Sequence, residues 1–453
     1  MFDKLESVLM PLAEAIGKNK YLISIRDGFL VSTPLLIAGS IFLLLANFPI
    51  PGYDEWVKSI AIGNSNLAVY LSKPADATFT IMAIFATMGI AYSYANQINS
   101  DKIFGAAVAL MSWFLLMPYE VTGTVEVGKK TVDATLSGLP LGWVGSKGLF
   151  LSIIIAFASV AIYTWVKNRG WVIKMPAGVP PTVTQSFSAL IPITITMGIM
   201  FLINLGLGAL GTDAFDIIFT WLQTPLLGLG DTLGAMVVAY LFLHIFWFFG
   251  INGSSVVGAV FNPILQTLAI ENLEYFKSGI GTPHIINQQF QDLFATFGGG
   301  GSTLSLIIAM LLFCKSSRIK QLSRLSLVPG IFNINEPIIF GLPIVMNPVM
   351  IVPFMLVPTI NIVISYLAMA AGIVPITNGI QIPWTTPLGI SGFLATNWVG
   401  AVLQVALLIL GVFVYLPFIK AMDKQYLLDE EKAAQKVEEE DDIDLDDLSF
   451  DDL

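Results

Sequence analysis

Apolar runs long enough to cross a bilayer recur along almost the whole chain, and they decide what it can fold into. Residues 28–48, GFLVSTPLLIAGSIFLLLANF, carry no charge over 21 positions, which is roughly 31 Å as a helix, about one hydrocarbon core. Further spans read as 77–95, 103–118, 147–166, 188–210, 232–250, 254–272, 302–314, 349–374 and 398–419. Only 12% of the 453 residues are charged, whereas soluble domains carry about 25%. The sequence therefore specifies an all-α polytopic membrane protein and leaves no room for a folded soluble domain. Before the first span, Leu5, Val8, Leu9, Leu12 and Ile16 share one helical face and read as a short interfacial helix.

Charge sets the orientation. Lys4, Lys18, Lys20 and Arg26 precede the first span, and Lys167, Arg169 and Lys174 follow the fourth. Lys315, Arg318, Lys320 and Arg324 follow 302–314, and Lys420 and Lys424 follow the last span. All four arginines lie in these clusters, so the positive-inside rule places both termini in the cytoplasm. The net charge of −10 is misleading, because from Asp429 onward 13 acids stand against two lysines and the rest of the chain carries +1. That tail is expected to be disordered. One cysteine, Cys314, excludes a disulfide framework, and two distant histidines, His244 and His284, give no metal-ligand cluster. Neither a metal nor another cofactor is called for, and no basic surface for nucleic acid is present.

Several stretches break the apolar pattern. Residues 333–348, NINEPIIFGLPIVMNP, place Glu336 between asparagines and prolines inside an apolar region. Prolines at 337, 343, 348, 353 and 358 recur too often for an unbroken helix. Backbone freed in this way must be buried in protein or line a wet cavity. An ionisable group at that depth marks a functional site, so Glu336, Asn333 and Asn335 are the leading candidates. Residues 246–255, FWFFGINGSS, add Trp247, Asn252 and Gly253, and His244 lies two turns before Asn252. Residues 294–302, FATFGGGGS, and 375–392, PITNGIQIPWTTPLGISG, read as two re-entrant segments. They contribute Gly300, Gly301 and Trp384. Aromatic platforms, amides and one carboxylate suit a polar neutral solute such as a sugar. The glycine run lacks the GK[ST] ending of a phosphate-binding loop.

Four of these passages, FWFFGINGSSVVG, WVIKMPAGVPPTVTQSFSALIP, FGGGGSTLSL and GIFNINEPIIFGLPIVMNPVMIVPF, resemble the enzyme IIC permeases of the bacterial phosphotransferase system, lactose/cellobiose/diacetylchitobiose class. The resemblance runs to about Lys424. It implies about ten transmembrane helices, two re-entrant hairpins and a homodimer in the lipid of the cytoplasmic membrane. A dimerising N-terminal half (1–172) and a proline-rich cytoplasmic connector (173–192) would precede a disaccharide-binding transport half (193–424), with the acidic tail at 425–453. The family's glutamate after NIN falls on Glu336, beside the hydroxyl to be phosphorylated, with Asn335 next to it. The family's WFFGI-His-G motif falls on 247–253, with Asn252 in place of the histidine. Sugar would enter from outside and move inward by an elevator-like motion. A phosphocysteine on soluble enzyme IIB, recharged by IIA, would then phosphorylate the C6 hydroxyl. No IIB domain surrounds Cys314, so IIB would be a separate chain and this chain the permease subunit of the complex. The alternative is an ion-coupled secondary sugar transporter, against which Glu336 stands nearly alone as an intramembrane carboxylate.

Overall fold

The computed structural model describes residues 18–127, 130–176, 178–342, 344, 347 and 349–441. The expected interfacial helix at the N-terminus and the last residues of the tail lie outside them. Among the described residues, the helices that frame the site are α1 Lys20–Ala46, α2 Met82–Gln97, α3 Lys102–Leu115, α4 Leu149–Asn168, α5 Pro181–Ala209, α6 Leu233–Phe248, α7 Gly253–Lys277, α8 Thr303–Phe313, α9 Ser317–Ile331, α10 Glu336–Gly341, α11 Ile351–Ala370 and α12 Trp398–Asp441, with shorter helices between them. Among the described residues seven helical segments are long and apolar enough to cross a membrane. A further pair, Ala214–Gly230 and Leu233–Phe248, qualifies together but bends by 78°. Outside the helices, an antiparallel hairpin pairs Glu120 with Ser137 and Val127 with Lys130.

Three large clusters of packed side chains, with smaller ones beside them, fill the interior. One gathers Phe29, Leu36, Ile90, Trp113, Ile155 and Phe215. The buried face of α1 alternates apolar Phe29, Leu36 and Leu43 with small residues, Ser24, Gly28, Ser32, Gly39 and Ser40, and the small ones let helices approach closely where lipid gives no hydrophobic drive to associate. The other two lie mainly in the second half of the chain, one around Leu265, Phe290 and Ile362 and one around Ile307, Ile339, Phe354 and Tyr415.

The proline-rich segment 375–392 is non-helical up to Ile390, and amide side chains hold it in place. Asn287 donates through Nδ2 to Thr377 Oγ1 at 2.8 Å, and Asn272 donates to the Thr377 carbonyl at 3.1 Å. Gln289 Oε1 accepts from Ile382 N–H at 2.9 Å. Gln404 Oε1 accepts from Gly389 N–H at 2.7 Å, while its Nε2 donates to Leu293 O at 2.7 Å. Irregular backbone is thus buried against protein polar groups, the condition for tolerating it away from water.

Two expectations change. Helix α5 begins at Pro181, so the second half of the expected connector is helix. Proline at the first position of a helix is favourable because its fixed φ suits the turn and its missing N–H is unpaired there anyway. The chain after Asp429 does not leave the fold at once either, since α12 continues to Asp441. Its carboxylates have specific targets. Asp423 accepts from Lys315 N–H at 2.9 Å and Ser316 N–H at 2.9 Å. Glu430 accepts from Ser316 Oγ at 2.7 Å and Arg318 N–H at 3.2 Å. Arg318 stacks over Tyr426, 4.7 Å from its ring centroid. Residues 423, 426 and 430 share one helical face, and that face caps the exposed N–H groups at the start of α9.

Candidate functional site

The glycine run is the hub. Gly298, Gly299 and Gly301 have φ of 77°, 83° and 77°, a region open to glycine at little cost. A Cβ at Gly301 would sit 2.1 Å from the Phe354 ring, and one at Gly299 would sit 2.7 Å from Asn335 Cγ. The loop is therefore wedged between α11 and the NINEP turn and admits no side chain at these points.

Side chains from distant segments hold it. Gly298 N–H donates to Asn333 Oδ1 at 2.6 Å, and Asn333 Nδ2 donates to the carbonyl of Trp384. Asn333 itself has φ 63°, which asparagine tolerates better than most residues. Asn335 Nδ2 donates to Gly300 O at 3.0 Å. Gly301 N–H donates to His244 Nε2 at 2.9 Å, and the Tyr415 hydroxyl donates to Gly301 O. The other ring nitrogen of His244, Nδ1, lies 2.7 Å from Tyr240 O. A carbonyl only accepts, so Nδ1 carries the proton and the imidazole is neutral. The structure thus joins Asn333, Asn335, Gly300, Gly301, His244 and the backbone of Trp384 in one network.

Glu336 is the first residue of α10, directly after Asn335, with Pro337 in the first turn. Its side chain is exposed and has no hydrogen-bond or ion-pair partner among the described residues. Trp247 is half-buried, with its indole Nε1 3.5 Å from Ser254 Oγ. The same nitrogen lies 3.5 Å from where a Gly300 Cβ would stand. Asn252 is exposed and caps α7, its Oδ1 accepting from Ser255 N–H at 2.9 Å. Its Nδ2 therefore remains available as a donor. The Trp384 side chain is 50% exposed.

Two candidates take a different role from the one expected. His244 is 0% exposed with both nitrogens engaged, so it supports the glycine loop instead of presenting a polar edge to a cavity. Gly253 is buried, and a Cβ there would come within 1.8 Å of Leu243 O, so it serves the contact between α6 and α7. Sequence reasoning missed Tyr415 and Phe354, which carry no local signal and reach the loop from separate helices. It also missed Asp292, which accepts from Gln288 Nε2 at 2.9 Å in the helical turn before the glycine run. The run QQFQD was the available signal. Among the described residues no group of His, Cys, Asp and Glu is arranged to hold a metal ion. Cys314 is a free, buried cysteine.

Several known proteins are similar to this chain over nearly its whole length. The family model described as "Phosphotransferase system, EIIC" matches residues 26–358. The oligo-beta-mannoside-specific EIIC component of Bacillus subtilis (strain 168) is 41% identical, covering 96% of this chain and 97% of its own. The cellobiose-specific EIIC component of Geobacillus stearothermophilus is likewise 41% identical, over 94% of this chain and 95% of its own. The crystal structure of the transporter ChbC, the IIC component from the N,N'-diacetylchitobiose-specific phosphotransferase system, superposes with a TM-score of 0.89 at 40% identity. That match covers 94% of this chain and 99% of that one.

Proposed function

This chain belongs to the EIIC family of the phosphotransferase system, and from that premise we propose that Glu336 is the carboxylate that receives the sugar. The protein is a multi-pass disaccharide permease that works with the IIB and IIA components. The observation that supports the site is the free carboxylate of Glu336, fixed one residue beyond an asparagine that is itself bonded to the glycine loop. Asn335, Asn333 and Gly300–Gly301 form the rigid wall. Asn252 offers its amide N–H, and Trp247 and Trp384 supply aromatic faces for the apolar side of a pyranose.

The relatives named for cellobiose, oligo-beta-mannoside and diacetylchitobiose support a β-linked disaccharide as cargo. In the chemical step the C6 hydroxyl oxygen attacks phosphorus, the S–P bond to the IIB cysteine breaks, and an O–P bond forms. Glu336 orients the hydroxyl and takes its proton, while the IIB thiolate leaves. Such transfers depend mainly on positioning and electrostatics, which a loop without freedom to move supplies. The lysine and arginine clusters put both termini and the α9 end in the cytoplasm. Residues 1–172 would form the dimer in the lipid bilayer, and 193–424 would carry the sugar across by an elevator-like motion.

Reconstituted vesicles test this reading. Cellobiose phosphate should form only when phosphorylated IIB is supplied on the cytoplasmic side. Accumulation of unmodified sugar driven by a proton or sodium gradient would instead establish the ion-coupled alternative.

A further inference from the structure

Helix α9 has an open side that the sugar site does not use. Its exposed residues recur at helical spacing as Arg318, Gln321, Arg324 and Leu325, Val328 and Phe332. Leu325 is 74% and Val328 63% exposed. The exposed apolar surface continues through Ile334 to Phe340, which is 75% exposed, so it flanks Glu336 on both sides in sequence. At the far end, Lys315, Lys320 and Arg324 have no ion-pair partner among the described residues. We propose that this face of α9, cationic at its start and apolar where it meets the Glu336 turn, is the docking surface for the phosphorylated IIB domain. The proposal rests on the reading of Glu336 as the phosphorylation site.

Three features favour a protein occupant. A helix lying in the lipid interface carries its apolar stripe from end to end. Here the open face is cationic and polar over its first half and apolar only over its second. An apolar centre beside a charged rim is how protein interfaces are built, and the apolar part adjoins the residue that must meet the phosphocysteine. The donor is anionic, which the cations complement. Arg324 stands seven residues before the end of α9, roughly 10 Å along the axis and about one Debye length at physiological salt. That distance suits steering of the partner more than contact with the transferring phosphoryl group. The start of α9 is also firmly set, because Asp423 and Glu430 cap it.

Initial rates of sugar phosphorylation at varied phosphorylated IIB test the proposal, alongside equilibrium sugar binding, in full-length protein. Charge reversals Lys320→Glu and Arg324→Glu and the apolar changes Leu325→Asp and Val328→Asp should each raise KM for IIB about tenfold. Sugar affinity and kcat at saturating IIB should stay within about twofold. The charge-reversal effect should shrink as salt is raised, and the Asp effect should not. An unchanged KM for IIB in all four variants would overturn the proposal. So would variants whose only effect is an altered dependence of thermal stability on anionic lipid, which would make α9 a lipid-facing helix. Parallel loss of sugar affinity and kcat would make the face structural. If Glu336→Gln spares phosphorylation while these variants still raise KM, the site assignment fails and the docking surface stands.

Discussion

Replacing His244 separates support of the glycine loop from direct contact with sugar. In His244→Phe the ring still packs edge-on against Phe354, whose centroid lies 5.1 Å away. Both polar bonds disappear. Gly301 N–H, 2.9 Å from Nε2 and buried, is left without an acceptor. An orphaned buried donor costs about 1–3 kcal/mol, and the loop's escape is to swing away from α6. Recovering about 1.4 kcal/mol by that motion would lower the competent fraction roughly tenfold, and apparent sugar affinity with it. His244→Gln carries one donor and one acceptor and should keep much of both bonds. Isothermal titration with cellobiose, beside thermal unfolding in detergent, reads both effects. The expected result is lower stability and about tenfold weaker binding for Phe, with Gln close to wild type. Phe at wild-type stability and affinity would refute the argument. Weak binding at unchanged stability in both variants would place the imidazole against the sugar itself.

Three further outcomes follow from other parts of the molecule. Ending the chain after Asp441 should leave sugar affinity and stability unchanged, whereas ending it after Leu428 removes Glu430 and should lower thermal stability; equal stability would show that this cap contributes nothing. Burial opposes charging of His284, but hydrogen bonds to Asp231 at 2.9 Å and Glu271 at 3.0 Å outweigh it and raise its pKa to about 9. Its charge therefore stabilises the fold fully below the unfolded value near 6.5 and progressively less as pH rises through about 9, so melting temperature should fall over that window, and His284→Gln should flatten the slope. Asn252→Asp keeps the helix cap but loses the amide donor, and Asn252→Ala loses both. Sugar binding should weaken in each by about 0.5–1.5 kcal/mol, while only Ala should lose about 1 kcal/mol of stability; intact binding in Asp would remove Asn252 from the site.

The parts of the site that were legible in sequence are those where local chemistry contradicts its apolar surroundings. A carboxylate, asparagines and glycines inside hydrophobic runs cannot be explained by packing, and Asn333, Asn335 and the glycine tetrad do meet. His244 was visible as a polar residue in an apolar helix, yet its role depends on the neighbours of both ring nitrogens, which only tertiary structure provides. Tyr415 looked like any aromatic of a last span, because a hydroxyl aimed at one carbonyl leaves no periodic trace. The C-terminal end of α12 was misread for a related reason. Its contact face is Asp423, Tyr426 and Glu430, and a polar stripe that binds backbone N–H groups has the composition of a disordered tail. Between 250 and 400, buried Asn and Gln side chains do the work of helix hydrogen bonds, so hydropathy alone cannot count the spans.

The central claim is that Glu336 receives the hydroxyl that becomes phosphorylated. Its most direct test is equilibrium sugar binding measured beside the single-turnover rate of IIB-dependent phosphorylation for wild type, Glu336→Gln and Glu336→Asp. Gln removes the charge and should weaken binding by about 1–2 kcal/mol, since charge-assisted bonds are roughly twice as strong as neutral ones. Loss of positioned proton transfer should slow phosphorylation by a further ~10²–10⁴-fold. Asp retains the charge but withdraws it by one methylene and should also be slow. Both substitutions leaving both quantities at wild-type values would contradict the account.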